Sequence, residues 1–267
     1  MLEFSHLTKK TGTPHQTHER QRADVALVER GLVPSRAQAQ ALILAGRVYL
    51  GEERIDKAGQ IVRDLAALRI SEGERFVSRG GHKLEGAIAA LGLDVRDLVC
   101  VDVGASTGGF SDCLLQRGAR RVFAVDVGEN QLAERVRNDA RVTVRDRTNA
   151  RHLRAEDFDE PIDLIVVDAS FIGIDKLLPA LFRSLREGGT LLALIKPQFE
   201  AGKRDAARAK GVIRDPVLRE RLLEEARKEV AAQGFELLGS VDSSLAGPKG
   251  NVEHFVYARR LARDDPR

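Results

Sequence analysis

The chain has 267 residues, 43% hydrophobic and 31% charged, an ordinary soluble balance with enough apolar side chains to bury a core in one or two domains. Its net charge of +3 is too small to identify a polyanionic partner, so the placement of basic residues matters more than their number. No stretch approaches the roughly 18 apolar residues that span a bilayer, the N-terminus has no apolar core or small-residue cleavage site, and two cysteines, Cys100 and Cys113, make neither a disulfide framework nor a paired metal motif. These features exclude a secretory signal and a spanning helix and fit a reducing, cytoplasmic setting, with both cysteines as small core residues.

Met1–Glu19 reads as a loose polar tail, and its His6, His15 and His18 as solvated rather than metal-binding. A compact front domain follows over residues 20–77. Arg22 to Arg30 forms a helix that Gly31 ends. Ser35 is the N-cap of a second helix, with Gln38 at the capping-box position and Gly46 as the stop. Short strands are expected at Val48–Leu50 and Arg54–Ile55, turning at Gly51 and Glu52. This α+β segment, RADVALVERGLVPSRAQAQALILAGRVYLGEERIDKAG, resembles the S-four-type RNA-binding domain. The resemblance implies that Arg20, Arg22, Arg36 and Arg47 face RNA phosphates, contacts that position a protein but read little sequence.

Ser78, Gly80 and Gly81 mark a hinge, with a helix starting near Lys83 and a second domain over residues 78–267. Strand-like runs at Val99–Val103, Val122–Asp126, Val142–Val144, Leu164–Asp168, Thr190–Lys196, Phe235–Val241 and His254–Ala258 alternate with helical stretches near Leu114 and at Glu129–Asn138, Lys176–Arg186 and Val217–Gln233. Asp215 before Pro216 reads as an N-cap with proline at the first helical position. Such alternation predicts an α/β, Rossmann-like, mostly parallel sheet of seven strands, whose ligands sit beyond the strands' carboxyl ends.

The first of these strands runs into VDVGASTGGF. Gly104, Gly108 and Gly109 allow a tight turn, and the candidate cofactor loop comprises Gly104, Ala105, Ser106, Thr107, Gly108, Gly109 and Phe110. The spacing is not that of a dinucleotide loop. Asp126, about twenty residues on, can accept from both ribose hydroxyls of a nucleoside. Asp146 can meet an adenine amino group, and Asp102 and Asp168 complete the acidic set. An acid-lined pocket suits the sulfonium of S-adenosyl-L-methionine better than a pyrophosphate, which favours methyl over hydride transfer.

Three further segments carry the chemistry. DLIVVDASFI ends a strand on Asp168, LLALIKPQFE ends one on Lys196, and NVEHFVYA opens the last with Glu253. If that last strand is antiparallel, its start shares their edge, and Lys83 can lie over it. A 2′-hydroxyl must be aligned and must lose its proton, and a lysine takes it once its pKa falls below the ordinary value of about 10.4. A second cation favours that lowering, while neighbouring carboxylates oppose it. Lys83, Asp168, Lys196 and Glu253 match the Lys–Asp–Lys–Glu tetrad of FtsJ-like 2′-O-methyltransferases, with Lys196 as the central lysine. Together with SRGGHKL, VDVGASTGGF, IKPQFE and GPKGNVEHF they resemble the TlyA family over about residues 20–260. The resemblance implies cytidine 2′-O-methylation of ribosomal RNA within ribosomal subunits, on the large subunit and in some members the small one too. It implies no metal, membrane or obligatory protein partner.

His82, His152 and His254 have no ligand spacing and read as surface or packing residues, and Glu200–Asp215 reads either as a mobile loop over RNA or as an inert connection. Two alternatives stand beside the methyltransferase. A membrane-active haemolysin, a label this family has carried, needs a spanning or amphipathic membrane element that is not evident. An RNA-binding protein with an inactive back domain conflicts with the intact acids and lysines.

Overall fold

The computed structural model describes residues 20–71, 73–201, 211–247 and 249–262. The tail Met1–Glu19 and positions 202–210 of the Glu200–Asp215 connection lie outside the described residues. The chain divides into two compact units, Met1–Arg75 and Phe76–Arg267. Phe76, placed by the sequence in the front domain, belongs to the back unit. Its ring stands edge-on to His82 at 5.0 Å and fills the space that Gly81 leaves by lacking a Cβ.

The front unit comprises β1 (Gln21–Arg22), α1 (Ala23–Glu29), α2 (Arg36–Leu44), β2 (Val48–Leu50), β3 (Glu53–Arg54), β4 (Ile61–Val62) and β5 (Leu68–Ile70). Gly31 and Gly46, both at φ +67°, end the helices in the left-handed conformation that costs glycine least. Ser35 caps α2 by accepting the Gln38 N–H at 3.3 Å. Leu27, Val33, Ile43, Val48 and Ile55 form the core under a small sheet ordered β3-β2-β5, and β1 pairs with β4. Strands β1, β4 and β5 were not expected from the sequence: at two or three residues alternation says little, and they lack the tight turn at Gly51 and Glu52 that marks β2 and β3.

The back unit comprises α3 (Arg79–Leu91), β6 (Val99–Val103), α4 (Gly109–Gln116), β7 (Arg121–Val125), α5 (Glu134–Arg137), β8 (Val142–Arg145), β9 (Ile162–Val167), α6 (Leu178–Ser184), β10 (Leu185–Ile195), α7 (Pro197–Glu200), α8 (Pro216–Ala232), β11 (Phe235–Asp242) and β12 (His254–Arg260). The seven strands form one sheet in the order β11-β12-β10-β9-β6-β7-β8. Strands β10, β9, β6, β7 and β8 run parallel, and β12 is antiparallel to both β10 and β11. Alternate residues of each strand feed opposite layers. On β6, Val99, Val101 and Val103 join a core with α6 and α8, while Cys100 faces the layer of α3 and α4. Asp102 shares the parity of Cys100 and is fully buried.

The expected hinge is instead the start of a helix. Ser78 Oγ accepts the Gly80 N–H at 3.3 Å, and Gly80 and Gly81 lie in the first turn of α3, one turn ahead of Lys83. The Asp215–Pro216 start of α8 forms as expected, with the Asp215 carboxylate accepting the Val217 N–H at 2.9 Å. The helix expected over Glu129–Asn138 contracts to the four residues of α5.

Candidate active site

Strand register assembles the site. Ile195 pairs with His254 across the antiparallel β10–β12 ladder, so the next step along each chain brings Lys196 and Glu253 to the same edge. Strand β9 runs parallel to β10 and ends one residue before Asp168, at that edge again. Glycine then lets α3 approach. A Cβ on Gly109 would sit 2.2 Å from Ser78 Oγ and 2.8 Å from Gly81 N, so only glycine there permits the α3 and α4 N-termini to pack this closely, while a Cβ on Gly81 would sit 2.3 Å from the Phe76 ring that precedes α3. The approach carries Lys83 over the strand ends.

Two buried ion pairs result. The Lys83 ammonium lies 2.5 Å from Glu253 Oε2, with both side chains almost fully buried. The Lys196 ammonium lies 2.6 Å from Asp168 Oδ1 and donates to Ser170 Oγ at 2.9 Å. All four side chains line one cavity of about 650 Å³, together with Gly104, Ala105, Ser106, Thr107, Gly109 and Phe110. Gly104, at φ +84°, brings the turn against the Asp168 backbone, where a Cβ would lie 2.9 Å from the carbonyl oxygen. Gly108, at φ +94°, begins α4 without a side-chain cap.

The remaining acids sit elsewhere. Asp102 does not reach the cavity. The two-residue period turns it under α4, where its Oδ2 accepts both the Ser111 N–H at 2.8 Å and the Ser111 hydroxyl at 2.7 Å. Burial pushes its carboxyl up to about 7. Asp126 accepts the Ser106 N–H at 2.8 Å and the Gly128 N–H at 2.7 Å, which ties down the glycine turn. Asp146 accepts the Asn130 N–H at 3.0 Å and pairs with Arg137. These two follow β7 and β8, farther along the sheet edge than the strands under the cavity.

Other cavity residues escaped the sequence reading. Phe171 is 90% exposed with φ +65°, packs beside Phe199, and stands among the lining residues. Asn251 is buried, accepting from the Ile213 N–H and donating to the Gly211 carbonyl, each at 2.9 Å. Their signals were weak: an aromatic after a strand end, and an asparagine two residues before Glu253. Away from the cavity, Asp175, Glu200 and Glu229 cluster, and burial raises the Glu200 carboxyl to about 7. His254 packs between Asp242 and Arg227, His82 packs against Phe76, and His152 sits in a short 3-10 turn.

In the front unit Arg20 is exposed, and Arg22 and Arg36 both pair with the buried Asp24. Arg47 is half-buried, its guanidinium donating to the Ser71 carbonyl at 3.2 and 3.0 Å.

A parallel sheet closed by an antiparallel strand, with a glycine turn and carboxylates at its ends, is the seven-stranded Rossmann-like methyltransferase fold. The FtsJ-like methyltransferase model matches residues 76–260, and the S4 domain model matches residues 21–64. The chain is 45% identical to the 16S/23S rRNA (cytidine-2′-O)-methyltransferase TlyA of Mycobacterium tuberculosis, covering 90% of each chain. It is 39% identical to Hemolysin A of Brachyspira hyodysenteriae, over 88% of this chain and 98% of that one. A solved structure of a provisionally named hemolysin from Streptococcus thermophilus superposes with a TM-score of 0.69 at 38% identity, covering 91% of this chain and 90% of that one. The chain belongs to the FtsJ-like methyltransferase family, in its TlyA group. Among the described residues no helix is long and apolar enough to cross a membrane.

Proposed function

We propose that the protein transfers a methyl group from S-adenosyl-L-methionine to the ribose 2′-hydroxyl of cytidine in ribosomal RNA within ribosomal subunits, acting in the cytoplasm. The observation that carries this reading is the convergence of the Lys83–Glu253 and Lys196–Asp168 pairs beside the glycine turn in one cavity. The relative from Mycobacterium tuberculosis supports cytidine and the two ribosomal RNAs as the substrate class.

The residues present fit the cofactor. A nucleoside carrying a sulfonium needs close backbone approach and carboxylates rather than a phosphate cradle. Gly104 supplies the first, since it lines the cavity without a side chain and its turn lies against the Asp168 carbonyl. For the second, Asp126 and Asp146 follow the next two strands along the same edge, outside the cavity that Ala105, Ser106, Thr107, Gly109 and Phe110 line, and Asp126 holds the Ser106 N–H of that lining. When bound, S-adenosylmethionine supplies an electrophilic methyl group. Asp102 contributes indirectly, by fixing Ser111 and with it the start of α4.

On the acceptor side, Lys196, once its ammonium has released one proton to solvent, holds the 2′-hydroxyl and takes its proton as the new bond forms. Asp168 and Ser170 fix the direction of the Lys196 amine. Lys83, held by Glu253, places a second positive charge beside the oxygen as it becomes anionic. The near-complete burial of Lys83, Lys196 and Glu253 lowers the local dielectric and so strengthens both effects. Phe171, exposed at the cavity, offers a face on which an unstacked base can lie. The front unit contributes affinity through Arg20, Arg22 and Arg36, with Arg47 bracing the Ser71 backbone.

The test is incubation of unmodified ribosomal subunits with the protein and methyl-labelled cofactor, followed by alkaline hydrolysis. A 2′-O-methyl group blocks cleavage of its own phosphodiester, so label is expected in alkali-resistant dinucleotides. Label released entirely as mononucleotides indicates base methylation and rejects the ribose assignment.

A further inference from the structure

In the front unit one buried carboxylate gathers two arginines. Asp24, in the first turn of α1, has no solvent exposure, yet it carries a charge-bearing side chain. Its oxygens accept from Arg22 Nε at 3.0 Å and Arg22 Nη2 at 3.2 Å, from Arg36 Nη2 at 2.8 Å and from Gln40 Nε2 at 3.1 Å. The Arg22 guanidinium holds the Asp24 carboxyl well below the usual carboxylate range, so the cluster keeps its charges at any working pH. Arg22 and Arg36 come from different elements and are half exposed, at 49% and 56%.

We propose that Asp24 is a positioning residue for RNA binding: it locks the Arg22 and Arg36 guanidinium groups side by side as a preformed receptor for backbone phosphate. A guanidinium has five N–H groups in a rigid fork. Arg22 spends two on Asp24 and Arg36 spends one, and the outer edges of both remain for a ligand. One carboxylate beneath two guanidiniums leaves a local charge of one positive unit and removes side-chain freedom that binding otherwise has to freeze. Gln40 adds a third donor to Oδ2, beside Arg22 Nη2 and Arg36 Nη2. The inference rests on the RNA reading of the front unit and adds a residue that simple charge counting assigns the opposite role. An acidic side chain near an RNA surface ordinarily weakens binding.

That opposition supplies the experiment. The full chain and three variants, Asp24→Asn, Arg22→Ala and Arg36→Ala, are titrated with a protein-free 23S ribosomal RNA transcript between about 50 and 200 mM salt. Asp24→Asn is expected to weaken binding about fivefold to tenfold although it adds a unit of positive charge, and each arginine variant to weaken it similarly. The salt slope is expected to fall by about one for each phosphate that is no longer neutralised. Parent-like or tighter binding by Asp24→Asn, with both arginine variants weakened, overturns the inference and leaves the front unit's RNA role intact. Parent-like binding by both arginine variants overturns that role and the inference with it. If Asp24→Asn unfolds the front unit, the double variant Arg22→Lys, Arg36→Lys keeps the charge and removes the fork. Weakened binding is then expected, and parent-like binding overturns the proposal.

Discussion

Lys196 and Asp168 end neighbouring parallel strands, and their side chains meet 2.6 Å apart inside the cavity while Ser170 Oγ takes a further hydrogen bond from the same ammonium. The amine is therefore aimed by groups from the segment that follows the neighbouring strand. Lys196→Ala removes the side chain proposed to accept the proton and leaves Asp168 without its ion-pair partner. Methyl transfer is expected to fall by about 10²–10⁴-fold in single-turnover assays, with cofactor affinity changed far less. Retention of full activity removes Lys196 from the chemistry.

Glu253 holds Lys83 from across the sheet edge, both nearly fully buried. Removing one partner strands the other charge in a low-dielectric site, which costs about 3–5 kcal/mol. Glu253→Gln is thus expected to lower thermal stability as well as activity. The double change Lys83→Met, Glu253→Gln is expected to recover stability without recovering methyl transfer. Calorimetry read beside activity separates the two effects.

Phe171 is 90% exposed and contributes little to the core. Phe171→Ala is expected to leave the melting temperature unchanged and to lower kcat/KM on ribosomal subunits about tenfold, since stacking of a base on an aromatic ring contributes about 1–3 kcal/mol. Cofactor binding by the free protein is expected to stay unchanged. Weakened cofactor binding points instead to a structural role for the ring.

Gly104 combines φ +84° with a Cβ position 2.9 Å from the Asp168 carbonyl. Gly104→Ala is expected to weaken cofactor binding about tenfold or more, because overpacking of this kind costs about 1–3 kcal/mol and the strain falls on the turn itself. Isothermal titration with S-adenosylmethionine measures it. Unchanged affinity places the cofactor away from this turn.

Glu200 supplies a pH prediction. Burial raises its folded-state carboxyl to about 7 from an ordinary 4.5, with Glu229 and Asp175 adding repulsion. The folded state therefore binds more protons than the unfolded state between these values, and stability from this group declines as pH rises through that window. Glu200→Gln is expected to raise the melting temperature by about 2–4 °C at pH 8 and by less at pH 5. A gain confined to pH 5 reverses the assignment.

The sequence carried the parts of the site that follow from strand order. Asp168, Lys196 and Glu253 could be placed at one edge because each closes or opens an apolar run in a parallel-sheet pattern. Side-chain direction was harder to read. Asp102 looked like a pocket acid, yet it shares a face with Cys100 and turns beneath α4. Arg47, expected to face phosphate, also donates to the Ser71 backbone, a partner 24 residues away that no local pattern announces. Phe171 and Ser170 act through positions in a loop after the strand, where periodicity has ended. Gly80 and Gly81 suggested a hinge because glycine breaks patterns, whereas both lie in the first turn of α3, where Gly81 makes room for the Phe76 ring.

The most direct measurement is mass mapping of nucleosides from unmodified ribosomal subunits treated with the purified protein and S-adenosylmethionine. 2′-O-Methylcytidine is expected, and is expected to be absent when Lys196→Ala replaces the parent. Methylation on a base, or undiminished ribose methylation by that variant, overturns the ribose assignment or the role of Lys196 respectively.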